Sequence, residues 1–203
     1  MDVKLDIILG PMFSGKTTKL FEIMDKLEKE NIKFITVKPH IDNRYNNNEK
    51  NNFVISHNLK KKECKVSNNL KDIFKEIKIN KTITSTRSES IQYVLIDEGQ
   101  FFKNLYNFTI LCLEKLNVNV IVTGLDGDFQ RKPMGEILNL LPIANSITKL
   151  TSKCDICKKD AIFTHRIVND SEQVLIGGSD KYIPLCRGHF IEKNELLTHP
   201  IDF

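Results

Sequence analysis

Apolar positions in this chain follow two alternating periodicities, and this alternation predicts an α/β fold. Short apolar and β-branched runs, which are typical of buried strands, occur at 4–9, 32–37, 93–96 and 118–123. Apolar residues recur at helical spacing in the segments 17–30, 70–77 and 106–116. Because parallel strands need crossover connections, strands that alternate with helices predict a mostly parallel sheet flanked by helices.

Weaker patterns complete the first 150 residues of the chain. Further short elements, two strands and one helix, are predicted at 53–56, 147–150 and 136–141. Polar composition predicts connecting loops at 39–52 and 80–90. The lysines at 60–62 are interpreted as a solvated surface run. The turn-rich segment 125–135 follows a strand, which is where open α/β sheets build their ligand crevices.

After residue 150, the alternation of strands and helices gives way to cysteine-containing turns and short alternating segments. This change predicts two domains, at 1–150 and 151–203. Within the second domain, two strands are predicted at 161–168 and 172–176. A loop opens at Gly177 and runs to Tyr182. We expect His165 to lie exposed on this hairpin rather than to bind a ligand.

The segment from Gly10 to Thr17 fits the P-loop pattern, in which two glycines frame four residues and precede lysine and a hydroxyl residue. It follows a predicted strand and precedes a predicted helix, as the motif requires. The backbone N–H groups of such a loop bind phosphates. Lys16 is predicted to pair with the β- and γ-phosphates of ATP, and Thr17 to offer its hydroxyl to Mg²⁺. The larger domain is therefore predicted to be P-loop NTPase-like.

Asp97 and Glu98 follow the apolar strand predicted at 93–96. A strand-end acid usually accompanies a P-loop and holds Mg²⁺ directly or through water, so Asp97 is predicted as a second magnesium ligand. Successive side chains leaving a strand face opposite ways, which leaves Glu98 to act as a general base on a second substrate. The proton comes either from water, as in an ATPase, or from a substrate hydroxyl, as in a kinase.

Cys154 and Cys157 form one short-spaced pair of metal ligands, and Cys186 and His189 form another. Three thiolates and one imidazole complete a tetrahedral site and leave no position for water. We therefore expect a structural Zn²⁺ rather than a catalytic one. The metal is predicted to clamp the base of the loop at 177–182.

Composition narrows the class of function. The chain has 203 residues, and 30 Lys and Arg against 26 Asp and Glu give a net charge of +4 without a long basic block, so nucleic acid is not expected as a partner. Neither a signal peptide nor an apolar run of membrane-spanning length occurs, and a soluble cytoplasmic protein is expected. Cys64 and Cys112 stand outside the zinc pairs and are interpreted as buried or free reduced thiols.

Four motifs occur along the chain in the order Gly-Pro-Met-Phe-Ser-Gly-Lys-Thr, Ile-Asp-Glu-Gly-Gln-Phe-Phe, Leu-Asp-Gly-Asp-Phe-Gln-Arg-Lys-Pro and Gly-Gly-Ser-Asp-Lys-Tyr. With the zinc ligands, they resemble the cytosolic, zinc-containing type of thymidine kinase. The resemblance implies transfer of the γ-phosphate of ATP to the 5′-hydroxyl of thymidine to give dTMP, and deoxyuridine is expected as a second substrate because it keeps the pairing edge of the base. The resemblance further implies a homotetramer, inhibition by dTTP and a small zinc-ribbon-like lasso domain that covers the nucleoside.

The resemblance also implies functions for single residues. Glu98 corresponds to the base for the 5′-hydroxyl, and Arg166 lies near the phosphates. The resemblance implies that the walls around the nucleoside are formed by Phe101, Leu125 and Phe129. The residues around the thymine methyl group are implied to be Met12, Thr164 and Tyr182. A lasso whose main-chain groups bind the edge of the base is implied to consist of Gln173, Val174, Leu175, Ile176 and Gly177. The predicted ATP-binding residues are Gly10, Pro11, Met12, Phe13, Ser14, Gly15, Lys16, Thr17, Asp97, Glu98, Gly99 and Gln100.

Two positions depart from the pattern of some relatives. Met134 stands in place of a second phenylalanine, and Asn58 in place of an aspartate. Met134 can still fill apolar space, whereas Asn58 lacks the charge.

An alternative function is an ATP-driven nucleic-acid factor, in which the zinc ribbon touches phosphates and Glu98 activates water. The missing basic stripe argues against this alternative, and the aromatic pair Phe101-Phe102 suits a stacked base. Thymidine kinase is therefore the favoured hypothesis.

Overall fold

The computed structural model describes residues 3–41, 52–56, 60–86 and 88–194. Most of the loop predicted at 39–52 lies outside the described residues, and so does Asn58. The elements up to residue 150 are, in chain order, β1 (Leu5–Leu9), α1 (Lys16–Lys29), β2 (Phe34–Lys38), β3 (Phe53–Ile55), β4 (Lys61–Glu63), β5 (Lys65–Val66), α2 (Leu70–Ile83), β6 (Tyr93–Ile96), α3 (Leu105–Glu114), β7 (Asn119–Gly124) and β8 (Ser146–Lys149). Short 3₁₀ helices follow β6 and β7, at Gly99–Phe101 and Ile137–Ile143.

Six strands of the described chain form one sheet in the order β5-β2-β6-β7-β1-β8. Every pairing in this sheet is parallel, which confirms the predicted α/β class. Leu9 pairs with Gly124, and Ile96 pairs with Val122. The carboxyl ends of β1, β6 and β7 therefore meet at one edge of the sheet, where open α/β sheets bind their ligands.

The central strands of the sheet are buried on both faces because helices cover each face, whereas the edge strand β8 is exposed. Along β7, Val120 and Val122 pack into one apolar cluster together with residues of α2 and α3. Ile121, between them, packs into a second cluster with residues of α1 and with Val54 of β3. Alternate residues of β7 thus pack into the apolar clusters on opposite faces of the sheet. This explains why the sequence of the strand is apolar at successive positions.

Helix α2 is longer than the sequence predicts. The connecting loop expected at 80–90 is therefore wrong for residues 80–83, which belong to the helix. The helix buries Leu70, Ile73 and Ile77 on its core face and continues to Ile83. Asn80 suggested a loop, but its side-chain oxygen accepts a hydrogen bond from the Ile91 N–H at 2.8 Å. The polar side chain stabilises the chain that follows the helix without interrupting the helix.

The lysine run at 60–62 is only in part a solvated surface, because the chain from Lys61 forms β4 and pairs antiparallel with β3. The Lys62 side chain is 18% exposed, and its Nζ lies 2.6 Å from Asp25 Oδ1 and 2.7 Å from Glu28 Oε2. The Lys62 hydrogen bond lowers the pKa of the Asp25 carboxyl. These ion pairs connect the β3–β4 hairpin to the outer face of α1.

Beyond residue 150 the elements are small. They are β9 (Ser152–Lys153), β10 (Asp160–Ala161), β11 (Phe163–Arg166), β12 (Tyr182–Leu185) and α4 (Arg187–Asn194). Two antiparallel pairs form, β9 with β10 and β11 with β12. Their apolar cluster consists of Cys154, Ala161, Leu185 and Phe190. Such a small core needs further cross-links to hold its shape.

The strand predicted at 172–176 is wrong. This segment pairs with no strand among the described residues, and the partner of β11 is β12 instead. The physical reason is that side chains of the hairpin, chiefly Arg166, bind the main-chain carbonyls of the segment. The segment with this apolar pattern is therefore a loop, and its main-chain carbonyls accept hydrogen bonds from side chains rather than from a neighbouring strand.

Single side chains outside the site also differ from expectation. His165 is half-buried rather than exposed, because its ring contacts the Phe190 ring edge-on at 6.0 Å and its Nδ1 lies 3.3 Å from Asn194 Nδ2. Cys112 is a free and fully buried cysteine, as expected, and burial raises the pKa of its thiol to about 12, which disfavours the reactive thiolate. No helix in the described ranges is long and apolar enough to cross a bilayer.

We predict that Gly135→Ala destabilises the fold, whereas Gly127→Ala is nearly neutral. Gly135 has φ 62°, and a Cβ there would overlap the main-chain carbonyl of Gln100. The nearest atom to a Cβ at Gly127 is the Lys132 carbonyl oxygen at 3.6 Å, an ordinary contact. Thermal and urea unfolding should give a loss of roughly 1 to 3 kcal/mol for Gly135→Ala. The loss for Gly127→Ala should stay within about 0.5 kcal/mol. Equal midpoints for the two variants would contradict the prediction.

Candidate active site

The P-loop occupies the turn between β1 and α1. Gly10 leaves the strand so close to its neighbours that a Cβ would lie 2.7 Å from both the Leu150 carbonyl oxygen and Ser14 Oγ. Gly15 is the N-cap of α1 with φ 84°, a left-handed conformation that glycine adopts without strain. The two glycines of the motif thus allow the backbone of the loop to turn tightly between β1 and α1.

The charge of Lys16 lies inside the curve of this loop. Its side chain is buried, and Nζ donates hydrogen bonds to the carbonyls of Gly10 at 3.0 Å and Pro11 at 2.7 Å. Thr17 follows on the first turn of α1 and lines the adjoining cleft. A cation and a helix N-terminus therefore face the same small volume, which is an arrangement that binds anions.

The two acidic residues after β6 occupy different environments. Asp97 is 3% exposed, and its Oδ1 accepts a hydrogen bond from Thr123 Oγ1 of β7 at 2.6 Å. Glu98 has φ 52°, so the chain turns sharply and brings the Glu98 side chain to the wall of the cleft. Glu98 is therefore one of the residues that line the cleft, whereas Asp97 is not.

Gln100 connects Glu98 to the chain after β7. Its Nε2 donates to Glu98 Oε2 at 2.6 Å, and its Oε1 accepts from the Leu125 N–H at 3.0 Å. Both ends of the amide are used, which fixes the amide and with it the Glu98 carboxylate. Five of the residues predicted to bind ATP are not among the residues that line the cleft, namely Gly10, Pro11, Asp97, Gly99 and Gln100.

The cleft itself has a volume of about 340 Å³. It brings together the P-loop, Glu98 and every residue predicted for the nucleoside site. The lining consists of Met12, Phe13, Ser14, Gly15, Lys16, Thr17, Thr18, Ile55, Glu98, Phe101, Leu125, Gly127, Asp128, Phe129, Met134, Thr164, Arg166, Gln173, Val174, Leu175, Ile176, Gly177, Gly178 and Tyr182. Residues more than 160 positions apart in sequence thus line one cleft.

The P-loop is bonded to the small C-terminal elements at two points. The Met12 N–H donates to Thr164 Oγ1 of β11 at 3.0 Å, and both residues are buried. Ser152 Oγ donates to the Phe13 carbonyl at 3.0 Å. The wall predicted to contact a thymine methyl group is therefore continuous with the backbone predicted to bind phosphate.

The segment 173–177, called the lasso from here on, is held by side chains on both sides. On the hairpin side, Tyr182 Oη donates to the Leu175 carbonyl at 2.8 Å and Lys181 Nζ to the Ile176 carbonyl at 2.7 Å. On the other side, Gln173 Nε2 donates to Asp128 Oδ2 at 2.8 Å. The lasso thus closes the cleft between the hairpin and the turn-rich segment that follows β7.

Several lining residues are absent from the sequence prediction. Asp128 is buried, and its Oδ1 accepts from the N–H groups of Gln130 and Lys132, both at 2.8 Å. The Asp-Gly-Asp sequence is a local turn signal that could have indicated it. Ile55 reaches the cleft from β3, and no local pattern indicates that, because it depends on where the β3–β4 hairpin docks.

The predicted metal ligands form one cluster. The ligand atoms of Cys154, Cys157, Cys186 and His189 all lie within 4.8 Å of one another. The Cys157 and Cys186 sulfurs are 3.8 Å apart, and His189 Nδ1 lies 3.5 Å from Cys154 Sγ and 3.2 Å from Cys186 Sγ. Ligands about 2.0–2.3 Å from a tetrahedral zinc ion are separated by about 3.3–3.8 Å, so the cluster fits zinc.

The chemistry of the cluster agrees with its geometry. Burial disfavours the Cys154 thiolate, but hydrogen bonds from the backbone N–H groups of Cys157, Cys186 and Ile156, and from His189, lower the pKa of Cys154 to about 6. The thiolate is the form of cysteine that binds zinc. All five cysteines are free of disulfide bonds.

Together, the parallel sheet, the strand-to-helix phosphate loop and the acids at the next strand end define the class of P-loop α/β nucleotide-binding proteins. Comparison with known proteins narrows the class. The family model described as thymidine kinase matches residues 3–190. The chain therefore belongs to the thymidine kinase family.

Individual relatives agree with this assignment. Thymidine kinase 1 of Dictyostelium discoideum is 37% identical over 185 residues, which are 91% of this chain and 76% of that protein. The thymidine kinase of Myxoma virus (strain Lausanne) is 37% identical over 186 residues, or 91% and 94% of the two chains. The cytosolic thymidine kinase of Homo sapiens is 35% identical over 192 residues, or 94% and 74%.

Proposed function

We propose that this protein transfers the γ-phosphoryl group of ATP to the 5′-hydroxyl of thymidine to give dTMP, and that deoxyuridine is a weaker substrate. One observation carries the proposal: the Glu98 carboxylate, the P-loop and the aromatic walls line the same cleft. A base, a phosphate site and a nucleoside site are therefore within reach of one another. In phosphoryl transfer, such positioning and charge stabilisation supply most of the catalysis.

The P-loop residues from Gly10 to Thr17 hold the triphosphate, with backbone N–H groups and the Lys16 ammonium against its oxygens. Thr17 and Asp97 supply the hydroxyl and carboxylate oxygens that a hard cation prefers, and these residues would hold Mg²⁺. Mg²⁺, when bound, neutralises charge on the transferring phosphoryl group. Gly99 and Gln100 support this site without lining the cleft.

Glu98 accepts the proton of the 5′-hydroxyl as that oxygen attacks the γ-phosphorus. Gln100 holds one oxygen of the Glu98 carboxylate at 2.6 Å, which favours a single orientation toward the cleft. Glu98 is only 7% exposed, so little of its surface is open to competing water. Proton removal from a substrate hydroxyl rather than from water distinguishes a kinase from an ATPase.

Phe101, Leu125 and Phe129 form the walls around the nucleoside, and Met134 adds apolar surface to the same lining. Met12, Thr164 and Tyr182 surround the thymine methyl group. Main-chain groups of Gln173, Val174, Leu175, Ile176 and Gly177 bind the edge of the base. We also propose the domain division at 150/151, with the second domain covering the nucleoside.

A structural Zn²⁺ held by Cys154, Cys157, Cys186 and His189 completes the second domain. The assembly is proposed to be a homotetramer that dTTP inhibits as end product, without nucleic-acid or membrane partners. A cytoplasmic location is proposed because the human relative is described as cytosolic.

The activity is tested by measuring ADP release in the presence of thymidine, single-stranded DNA or buffer alone, with the nucleoside product identified by chromatography. We expect ADP and dTMP in equal amounts with thymidine only. ADP release that depends on DNA and yields no dTMP would replace the proposal with the ATP-driven nucleic-acid factor.

Glu98→Gln should lower kcat by roughly a hundredfold to ten-thousandfold, the usual span for loss of a general base, while the affinities for ATP and thymidine stay near normal. The amide keeps the size of the side chain but cannot accept the proton. Steady-state kinetics and nucleotide titrations check both quantities. Glu114→Gln, at an exposed position of α3, is the matched control and should match the unmodified protein. Near-normal turnover of Glu98→Gln would remove this residue from the mechanism.

One zinc ion per chain should survive dialysis, because the cluster supplies a closed set of ligands. The double variant Cys157→Ser and Cys186→Ser should lose it, and Cys64→Ser should retain it. Elemental analysis of the three proteins measures the content directly. Active protein without zinc, or a double variant with full zinc content, would contradict the assignment.

Thymidine should be preferred to deoxycytidine by about a hundredfold or more in kcat/KM. Thymine presents an N3 donor and an O4 acceptor, whereas cytosine reverses both, and main-chain groups cannot exchange donor for acceptor. Deoxyuridine keeps the pairing edge and loses only a methyl group, so its kcat/KM should fall by about tenfold. Competition among the three nucleosides at fixed ATP gives the order. Equal use of deoxycytidine and thymidine would show a broader deoxynucleoside kinase.

A further inference from the structure

Arg166 lies in an unusual environment for an arginine. It is the last residue of β11, and its side chain is 2% exposed. A buried cation is costly unless hydrogen bonds and charge compensate it. The compensating carboxylate is Asp170, whose Oδ1 lies 3.6 Å from Arg166 Nη1. The remaining compensation comes from neutral oxygens, and most of these belong to the main chain.

The two terminal nitrogens of Arg166 bind the chain that leads into the lasso. Nη1 donates to the carbonyls of Asp170 at 2.9 Å and Glu172 at 2.6 Å. Nη2 donates to the Gln173 carbonyl at 3.3 Å and to Tyr182 Oη at 2.8 Å. Tyr182 Oη in turn donates to the Leu175 carbonyl, so the guanidinium also fixes the middle of the lasso through one hydroxyl.

The guanidinium also fixes a wall of the cleft. Arg166 Cζ lies 3.8 Å from the centroid of the Phe129 ring, which is close stacking of a cation on an aromatic face. Phe129 belongs to the turn-rich segment after β7, and the lasso belongs to the loop between β11 and β12. One buried planar group thus sets the position of an aromatic wall relative to the main-chain segment opposite it.

We propose that Arg166 is a positioning residue that shapes the lasso for the thymine base and thereby sets nucleoside selectivity. The inference rests on the proposed function, because it takes the lasso as the reader of the base edge. The lasso forms no strand ladder within the described chain, so its backbone geometry depends on the side chains that hold its carbonyls. Main-chain recognition discriminates between bases only if that geometry is fixed beforehand.

The contacts oppose the alternative position near the phosphates that the family resemblance implies for Arg166. The four hydrogen bonds of Nη1 and Nη2 match the four hydrogens that these nitrogens carry. A phosphate could bind them only by releasing the lasso. Within the described residues, Nε is the nitrogen of Arg166 that lacks a hydrogen-bond partner.

Lysine should not replace arginine at this position. A lysine ammonium donates from a single nitrogen, whereas the bonds of Arg166 start from two nitrogens in a fixed plane. It also lacks the flat face that stacks on Phe129. Arg166→Lys therefore separates the need for charge from the need for the guanidinium geometry.

The test compares Arg166→Met and Arg166→Lys with Arg131→Met in the 203-residue protein. Arg131 is the matched control because it is exposed, lies over the Phe190 ring at 5.2 Å and is not part of the cleft lining. Steady-state kinetics with thymidine and with deoxycytidine at saturating ATP, and with varied ATP, are measured for each protein. Zinc content reports whether the second domain is folded.

We expect both Arg166 variants to raise KM for thymidine by about tenfold or more, with a smaller change in kcat. The KM for ATP should stay within about twofold, and the preference for thymidine over deoxycytidine should fall by about tenfold. Arg131→Met should change none of these. A merely structural defect would lower kcat with both nucleosides alike and would leave their ratio unchanged.

Unchanged KM and selectivity in Arg166→Met would overturn the proposal, and a raised KM for ATP alone would assign Arg166 to the phosphates instead. If both Arg166 variants lose zinc, Tyr182→Phe decides. This change removes a single oxygen from the relay to Leu175, and it should shift KM for thymidine and the selectivity ratio in the same direction by a smaller factor. A shift in neither would count against the proposal. Failure of the unmodified protein to phosphorylate thymidine would refute the proposed function, whereas normal selectivity in the Arg166 variants refutes only the positioning.

Discussion

The alignment of three strand ends at one edge of a parallel sheet is the constraint on which the site depends. The pairing of Leu9 with Gly124 and of Ile96 with Val122 fixes where β1, β6 and β7 end relative to one another. The P-loop, the acids after β6 and the turn-rich segment after β7 must therefore emerge side by side. Gln100 then bonds the second of these connections to the third, through Glu98 and Leu125. The hydrogen-bonded pairing of the strands therefore places the three connections close enough for their side chains to contact one another.

The small C-terminal elements complete the cleft but contribute little apolar core of their own. Their cluster contains four fully or nearly fully buried residues, one of which, Cys154, is also a predicted metal ligand. A lobe with so few buried side chains gains stability from cross-links, which explains why a cysteine and histidine cluster lies at its base. The hairpin β11–β12 rises from this cluster and presents Thr164, Arg166 and Tyr182 to the cleft. The predicted metal cluster and one wall of the cleft thus belong to the same small lobe, although none of the four predicted metal ligands is among the residues that line the cleft.

The parts of the structure that local sequence determines could be predicted, and the parts that depend on distant contacts could not. The P-loop and the cysteine spacing are short patterns whose chemistry requires those residues at those distances. The strands at 93–96 and 118–123 are continuous apolar runs because they are buried on both faces. By contrast, Asn80 suggested a loop because its hydrogen bond to Ile91 is invisible in sequence. The apolar pattern of 172–176 suggested a strand, but side chains rather than a neighbouring strand bind its carbonyls, and Arg166 binds those of Glu172 and Gln173. Ile55 was missed because hairpin docking depends on Lys62 and the acids of α1.

The hydrogen bond from the Met12 N–H to Thr164 Oγ1 connects the P-loop side of the cleft to the β11–β12 hairpin on its other side. Met12 belongs to the loop that the phosphates require, and Thr164 to the hairpin that carries the lasso. The backbone of the P-loop and the hairpin are therefore in direct contact, and this contact does not involve the sheet. Free energies of coupling between two sites are reciprocal, so any effect of ATP on the nucleoside site has an equal counterpart. The Met12–Thr164 hydrogen bond is buried, and together with the bond from Ser152 Oγ to the Phe13 carbonyl it links the P-loop directly to the C-terminal elements.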